Sequence, residues 1–284
     1  MRTRFLLTLL AALIAPAAHS SDGVLEINQA CALGGGCFSG DAPLFPVTIT
    51  GSPGQSYRLT SNLQVPNENT TAIVVTPAGV SIDLNGFSIS GPTTCSFAPY
   101  ASCAPVGVGY GVDATTSTKV SNGLVQGMGA DGIRLTFDGV VENVRVLNSG
   151  AAGINVGPGG SVRRSVASAN GGLGIAVSFR GAVVESITDN NGGEGIVLGQ
   201  GSAVHDSVSS ANRLDGIRCT GSCLLMNNAV TSNFRYGLAA TAPPCSQVLA
   251  YGQNLINTNV LGPVQNGACA IQVDTNVCTL AVCP

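Results

Sequence analysis

Arg164, Glu185 and Asp206 follow one another at intervals of 21 residues, with Arg163 and His205 as immediate neighbours. A chain that stacked at that interval would bring the two carboxyls to about 5 Å, near the separation of the acid pair in a retaining glycoside hydrolase. Facing carboxyls can split into a general acid and a general base, and Arg164 and His205 would then be their charged partners. The same four residues also describe a solvated charge ladder, in which Arg164 offsets Glu185 and His205 lies on the surface. Both readings stay open on the sequence.

A second set comes from the recurrence of Asp131-Gly132-Ile133-Arg134 as Asp215-Gly216-Ile217-Arg218. The copies are four intervals apart, about 19 Å in a stacked chain, too far to serve one reacting bond. They read as local salt links beside a glycine. Alternatively, Arg134, Asn155 and Arg218 are spaced to touch successive sugars of an acidic polymer, since Arg grips carboxylates with two hydrogen bonds. Beyond the leader described below, His205 is the one histidine, and Met128 and Met226 are the methionines. Neither zinc nor copper handling is expected from such a set, and no metal or cofactor is predicted.

The interval itself governs the rest. Gly-aliphatic pairs stand at Gly111-Val112, Gly132-Ile133, Gly153-Ile154, Gly174-Ile175, Gly195-Ile196, Gly216-Ile217 and Gly237-Leu238, each 21 residues after the last. Val120, Val141, Val162, Val183, Val204 and Leu225 repeat in phase, as do Val166, Ile187 and Val208. Asn170, Asn191, Asn212, Asn233 and Asn254 form a further column. A unit of this length is too short for two packed helices, and its short apolar runs alternate between Gly and Asn corners. The predicted fold is all-β: a single-stranded parallel β-helix with one coil per repeat, aliphatics stacked inside and amides laddered at a turn. Glycine at the corner is expected to supply backbone angles that a Cβ forbids. Val183 and Ile187 both read as inward. Strict alternation would then bury Glu185 and Asp206 as well, so a bend is expected to turn that column out to solvent.

Composition agrees. Of 284 residues, 10% are charged, 5% aromatic and 38 are Gly, with no Trp. That excludes a disordered acidic chain, a coiled coil and a basic nucleic-acid binder. Tyr is scarce in the repeat body, so aromatic sugar platforms are expected to be few. Residues 1–20 read as a secretory signal: Arg2 and Arg4, the apolar run Phe5 to Ile14, then Ala18-His19-Ser20. Its removal takes the net charge from −3 to −5. The expected product is secreted or periplasmic and monomeric, has no membrane span, and binds no nucleic acid.

Cys31, Cys37, Cys95, Cys103, Cys219, Cys223, Cys245, Cys269, Cys278 and Cys283 all follow the leader, an even count that favours disulfides in an exported chain. Cys31–Cys37 and Cys95–Cys103 are the natural local pairs, and the six distal cysteines leave 15 connectivities open. The cysteine-free middle suggests a bare repeat body with stapled ends. The expected division is a cap over 21–46, a β-helix over 47–257 and a second cap over 258–284. The insert 91–109 is expected to project from the side as a disulfide-bridged loop.

Tyr57-Arg58-Leu59-Thr60, the segment Pro66 to Val75, Asp83-Leu84-Asn85-Gly86 and the Asn/Gly-plus-Ile coils resemble secreted bacterial right-handed parallel β-helix repeat proteins of the broad pectin-lyase-like group. The resemblance implies a right-handed, three-sided, elongated coil and leaves the activity open. The pectate-lyase calcium Asp cluster, the polygalacturonase acid set and the paired acidic and His motifs of alginate epimerases are not found. The expected function is therefore contact with polysaccharide or cell-envelope glycan, without catalysis. A polysaccharide lyase or glycoside hydrolase, or an adhesion or surface-structural protein, is the alternative.

Overall fold

A computed structural model describes residues 23–97, 102–240, 248–265, 270–278 and 281–283. The leader, Cys245 and Cys269 lie outside the described residues. Ten parallel strands form one sheet and a twenty-stranded sheet forms the other two sides of the coil. One coil runs Ile154–Val156, Ser161–Arg163 and Val166–Ser168, then returns to Ile175–Val177 one rung higher. Ile154 pairs with Ile175 and Ile175 with Ile196, and all three are wholly buried in one interior file. Val120, Val141, Val162, Val183, Val204 and Leu225 form a second buried file. No helix among the described residues is long and apolar enough to cross a membrane.

The expected bend is present and has a specific cause. Arg164, Glu185 and Asp206 sit in the left-handed region, at φ 46°, 49° and 56°. Asn143 and Asn227 hold the same position in neighbouring coils, at φ 54° and 56°. One left-handed residue turns the charged column outward and also shifts the alternation by one. Ser186 and Thr188 therefore point inward, both fully buried, whereas Ile187 is 41% exposed and Val208 36% exposed. The column Val166, Ile187 and Val208, expected inside, lies on the outer surface. Ala167, Thr188, Ser209 and Val230 line the interior instead.

The asparagine ladder is present and differs at one end. Asn170 donates to Asn191, Asn191 to Asn212 and Asn212 to Asn233, with Nδ2–Oδ1 distances of 3.0, 2.9 and 3.0 Å. Asn233 then bonds Asn259 rather than Asn254, at 2.9 Å. Asn254 belongs to a second ladder, between Asn228 and Asn276. The reason is a longer coil: Cys219 pairs with Ala240, but Cys223 pairs with Leu249, a sequence step of 26. The extra residues shift everything that follows.

The repeating glycines serve close packing, not unusual backbone angles. Gly195 has no positive φ, and a Cβ there would stand 2.1 Å from Ser209 Oγ, 2.5 Å from Asn212 Nδ2 and 2.6 Å from Gly216 O. No side chain fits between the coil and its ladder.

Disulfides join Cys31–Cys37, Cys95–Cys103, Cys219–Cys223 and Cys278–Cys283. Cys219–Cys223 spans a turn within the repeat body, so the staples are not confined to the ends. The insert forms an antiparallel hairpin, Thr94–Ser96 with Ser102–Ala104, closed by Cys95–Cys103. It does not project. It lies back along the coils, with Val106 over Gly150 and Cys103 over Gly171. Arg213 reaches the carbonyl of Phe97 from further along the body.

Candidate functional site

The charged corner assembles as a ladder of alternating sign. Lys119 Nζ lies 2.8 Å from Glu142 Oε2, Arg164 contacts the other oxygen of Glu142, and Arg164 Nη1 stands 3.8 Å from Glu185 Oε2. Arg164 Nε also donates to Asn143 Oδ1 at 3.1 Å. In the next coil His205 Nδ1 is 2.8 Å from Asp206 Oδ2, and Asn227 donates to the opposite oxygen. Arg164, Glu185, His205 and Asp206 are about half exposed, on a convex bend. The hydrogen bond from His205, then that from Asn227, holds the Asp206 carboxyl below its ordinary range. Lys119 does the same to Glu142, with Arg164 adding to it. Asp206 is thus a carboxylate at neutral pH, able to accept a proton but not to donate one. Among the described residues no cluster of His, Cys, Asp and Glu could hold a metal ion.

Arg134, Asn155 and Arg218 share a different surface, the outer face of the ten-stranded sheet. Register places Asp113, Arg134, Asn155, Ala176, Val197 and Arg218 on successive rungs. Arg134 binds Asp113 through Nε–Oδ1 and Nη2–Oδ2, both 2.8 Å, and donates from Nη1 to Tyr110 Oη at 2.6 Å. Its guanidinium also covers the Tyr110 ring at 3.9 Å, and Asp113 raises its pKa further. Arg218 Nη1 binds Glu194 Oε1 at 2.8 Å.

The two Asp-Gly-Ile-Arg copies do not close on themselves. Asp131 instead accepts from Ala152 N at 2.9 Å and Asn155 Nδ2 at 3.2 Å, and Asp215 from Tyr236 N at 3.1 Å. Each Arg pairs with an acid of the preceding coil, because stacked rungs lie nearer than positions along one strand. Asp113, Tyr110 and Glu194 are the partners that the motif alone did not mark, although Asp113 stands one repeat before Arg134.

Rings are also present where few were expected. Phe137 and Phe179 are 52% and 53% exposed, on the turns that border this face. Their spacing of two repeats was visible in the sequence.

The family described as "Right handed beta helix region" matches residues 107–248, half of the chain. The protein belongs to that family and is a right-handed parallel β-helix. Among solved structures, the Azotobacter vinelandii mannuronan C-5 epimerase AlgE4 A-module is similar at 16% identity and TM-score 0.53, covering 90% of this chain and 84% of its own. Pectate lyase Pel9A is similar at 14% identity and TM-score 0.54, covering 87% of this chain and 78% of its own. The A. vinelandii AlgE6 A-module gives 16% and 0.52, with coverages of 91% and 89%. At these identities the likeness is one of fold. No curated protein matches the sequence.

Proposed function

We propose that the chain is an exported, monomeric β-helix protein that contacts polysaccharide or cell-envelope glycan along the outer face of its ten-stranded sheet, without turning it over. The observation that carries this reading is the fixed pair Arg134 and Arg218, four rungs apart on one flat face with Asn155 between them. Both guanidiniums are held by acids yet remain 39% and 40% exposed. Three of the five N–H groups of Arg134 are engaged within the protein, which leaves two to meet sugar hydroxyls or carboxylates. The fold likeness to an epimerase and a lyase named for polysaccharides adds support, and the disulfides suit an oxidising compartment outside the cytoplasm.

Affinity electrophoresis through gels cast with alginate, polygalacturonate or peptidoglycan fragments tests it. Retardation that falls in Arg134→Ala and Arg218→Ala, with no new reducing ends or unsaturated uronates, is expected. Migration unaffected by every glycan would overturn the reading. The stacked Glu185 and Asp206 support polysaccharide cleavage as a second reading. Turnover lost in Glu185→Gln would establish that activity in place of simple contact.

A further inference from the structure

The turns that leave the ten-stranded sheet build a ridge along the solenoid. Phe137, Pro158, Phe179 and Gln200 occupy one turn position in four successive coils. Each turn is tied to the next by a main-chain bond: Asp138 N–H to Pro158 O, Gly159 N–H to Phe179 O and Arg180 N–H to Gln200 O, all 2.9 Å. The residue after each ridge position is left-handed in all four coils, Asp138 at φ 46°, Gly159 at 76°, Arg180 at 57° and Gly201 at 75°. The backbone of the ridge is therefore fixed before anything binds.

Two half-exposed Phe rings stand on it two rungs apart, about 9.6 Å. Isolated surface rings are ordinary, but two at the same turn position in a chain with 5% aromatic residues make an aligned pair. Neither makes a ring–ring or cation contact among the described residues. Beside the ridge runs a column of small residues, Thr136, Gly157, Ser178 and Gly199, in which Gly157 lies against the Thr136 carbonyl and Gly199 against the main chain of Ser178 and Phe179. Arg180 forms no ion pair among the described residues and lines an open cleft with Phe179, Gln200 and Gly201.

We infer that Phe137 and Phe179 stack on the apolar faces of alternate pyranose rings of an extended glycan running parallel to the solenoid axis, and that Arg180 takes an anionic substituent of the same chain. The inference rests on the glycan-contact reading and assigns it a site, a direction and a repeat. Two rungs are about the length of two linked pyranose rings in an extended chain. Flat rings offer contact area at little entropic cost, and a guanidinium suits a carboxylate or sulfate.

Titration calorimetry with mannuronate oligosaccharides from disaccharide to hexasaccharide, and with cello-oligosaccharides of equal length, tests it. Affinity should step up once a chain can touch both rings, between disaccharide and tetrasaccharide. Phe137→Ala and Phe179→Ala should each weaken the longer chains by about three- to tenfold and remove the step. Phe179→Tyr should retain it. Arg180→Ala should reduce the preference for the acidic series by about three- to tenfold and keep the length step. The rings are exposed, so the variants should melt with the parent, which separates lost binding from lost fold. Binding that is unchanged in both Phe variants would overturn the ridge site and leave glycan contact standing. Absence of binding by the parent to every oligosaccharide would reject both.

Discussion

Asn191 places its side-chain amide 2.9 Å from Asn212 Oδ1, and its main-chain N–H reaches the same oxygen at 3.1 Å. Its second amide hydrogen goes to Ala167 O at 3.0 Å, and its own Oδ1 accepts the equivalent pair from Asn170. Every polar atom of this wholly buried side chain is used. The unit can recur on each rung, because what Asn191 offers the coil before it is what it takes from the coil after.

Asn191→Ala should therefore be costly. It strands the N–H and amide of Asn170 and takes a donor from Ala167 O and Asn212 Oδ1, groups that water cannot reach. At about 1–3 kcal/mol for each buried orphan, partly relieved by relaxation, a loss of about 3 kcal/mol is expected. Urea unfolding of parent and variant measures it. A change below about 0.5 kcal/mol would show that the ladder is incidental to stability.

The alternation shift at the bend makes a paired prediction. Val183→Ala removes two methyl groups from a fully buried file and should destabilise by about 2 kcal/mol. Ile187→Ser, four residues on, changes a side chain that is 41% exposed and should stay within about 0.5 kcal/mol. Comparable losses in the two variants would return Ile187 to the interior and refute the register.

The contrast between these residues shows what the sequence could disclose. A strict interval identifies coils, because stacked rungs put like on like, and so the files of Ile154 and Val183 were legible. Facing directions within a coil were not. One left-handed residue at Glu185 reverses the alternation, and a charged residue in that conformation leaves no signature of its own. Asn254 was misplaced for a related reason, since five extra residues after Ala240 move it into register with Asn228 while preserving its apparent period. The ion pairs of Arg134 and Arg218 were hidden because each crosses to another coil, at a separation set by side-chain lean. The insert was expected to stand clear. Its apolar Val106 and its disulfide instead find a flat track where Gly150 and Gly171 carry no side chain.

Acid should weaken the charged corner in a defined window. Glu142 and Asp206 are held below ordinary values of 4.5 and 3.8 by Lys119 and His205 respectively. A carboxyl with a depressed folded-state pKa stabilises the protein fully above its unfolded value and loses that contribution as pH falls toward the folded one. Melting temperature should thus decline from about pH 4.5 downward, with Glu142 leading and Asp206 following. In Glu142→Gln and Asp206→Asn the acid limb should flatten. An unchanged limb in both variants would place the acid-sensitive groups elsewhere.

The hairpin strap should open without the solenoid. Thr93 Oγ1 closes its base on Pro105 O at 2.6 Å, Cys95–Cys103 closes its middle, and Arg213 holds Phe97. Of these, the disulfide removes the most freedom from the opened state, about 2 kcal/mol of loop-closure entropy for so short a ring. Cys95→Ser with Cys103→Ser should raise cleavage within the hairpin more than tenfold under limited proteolysis, because cutting follows the open population. The far-UV spectrum and the main unfolding transition should remain those of the parent, since no interior file includes the strap. Equal cleavage rates would show that packing against Gly150 and Gly171 holds the hairpin unaided. Loss of the main transition would show instead that the strap is part of the fold's cooperative core.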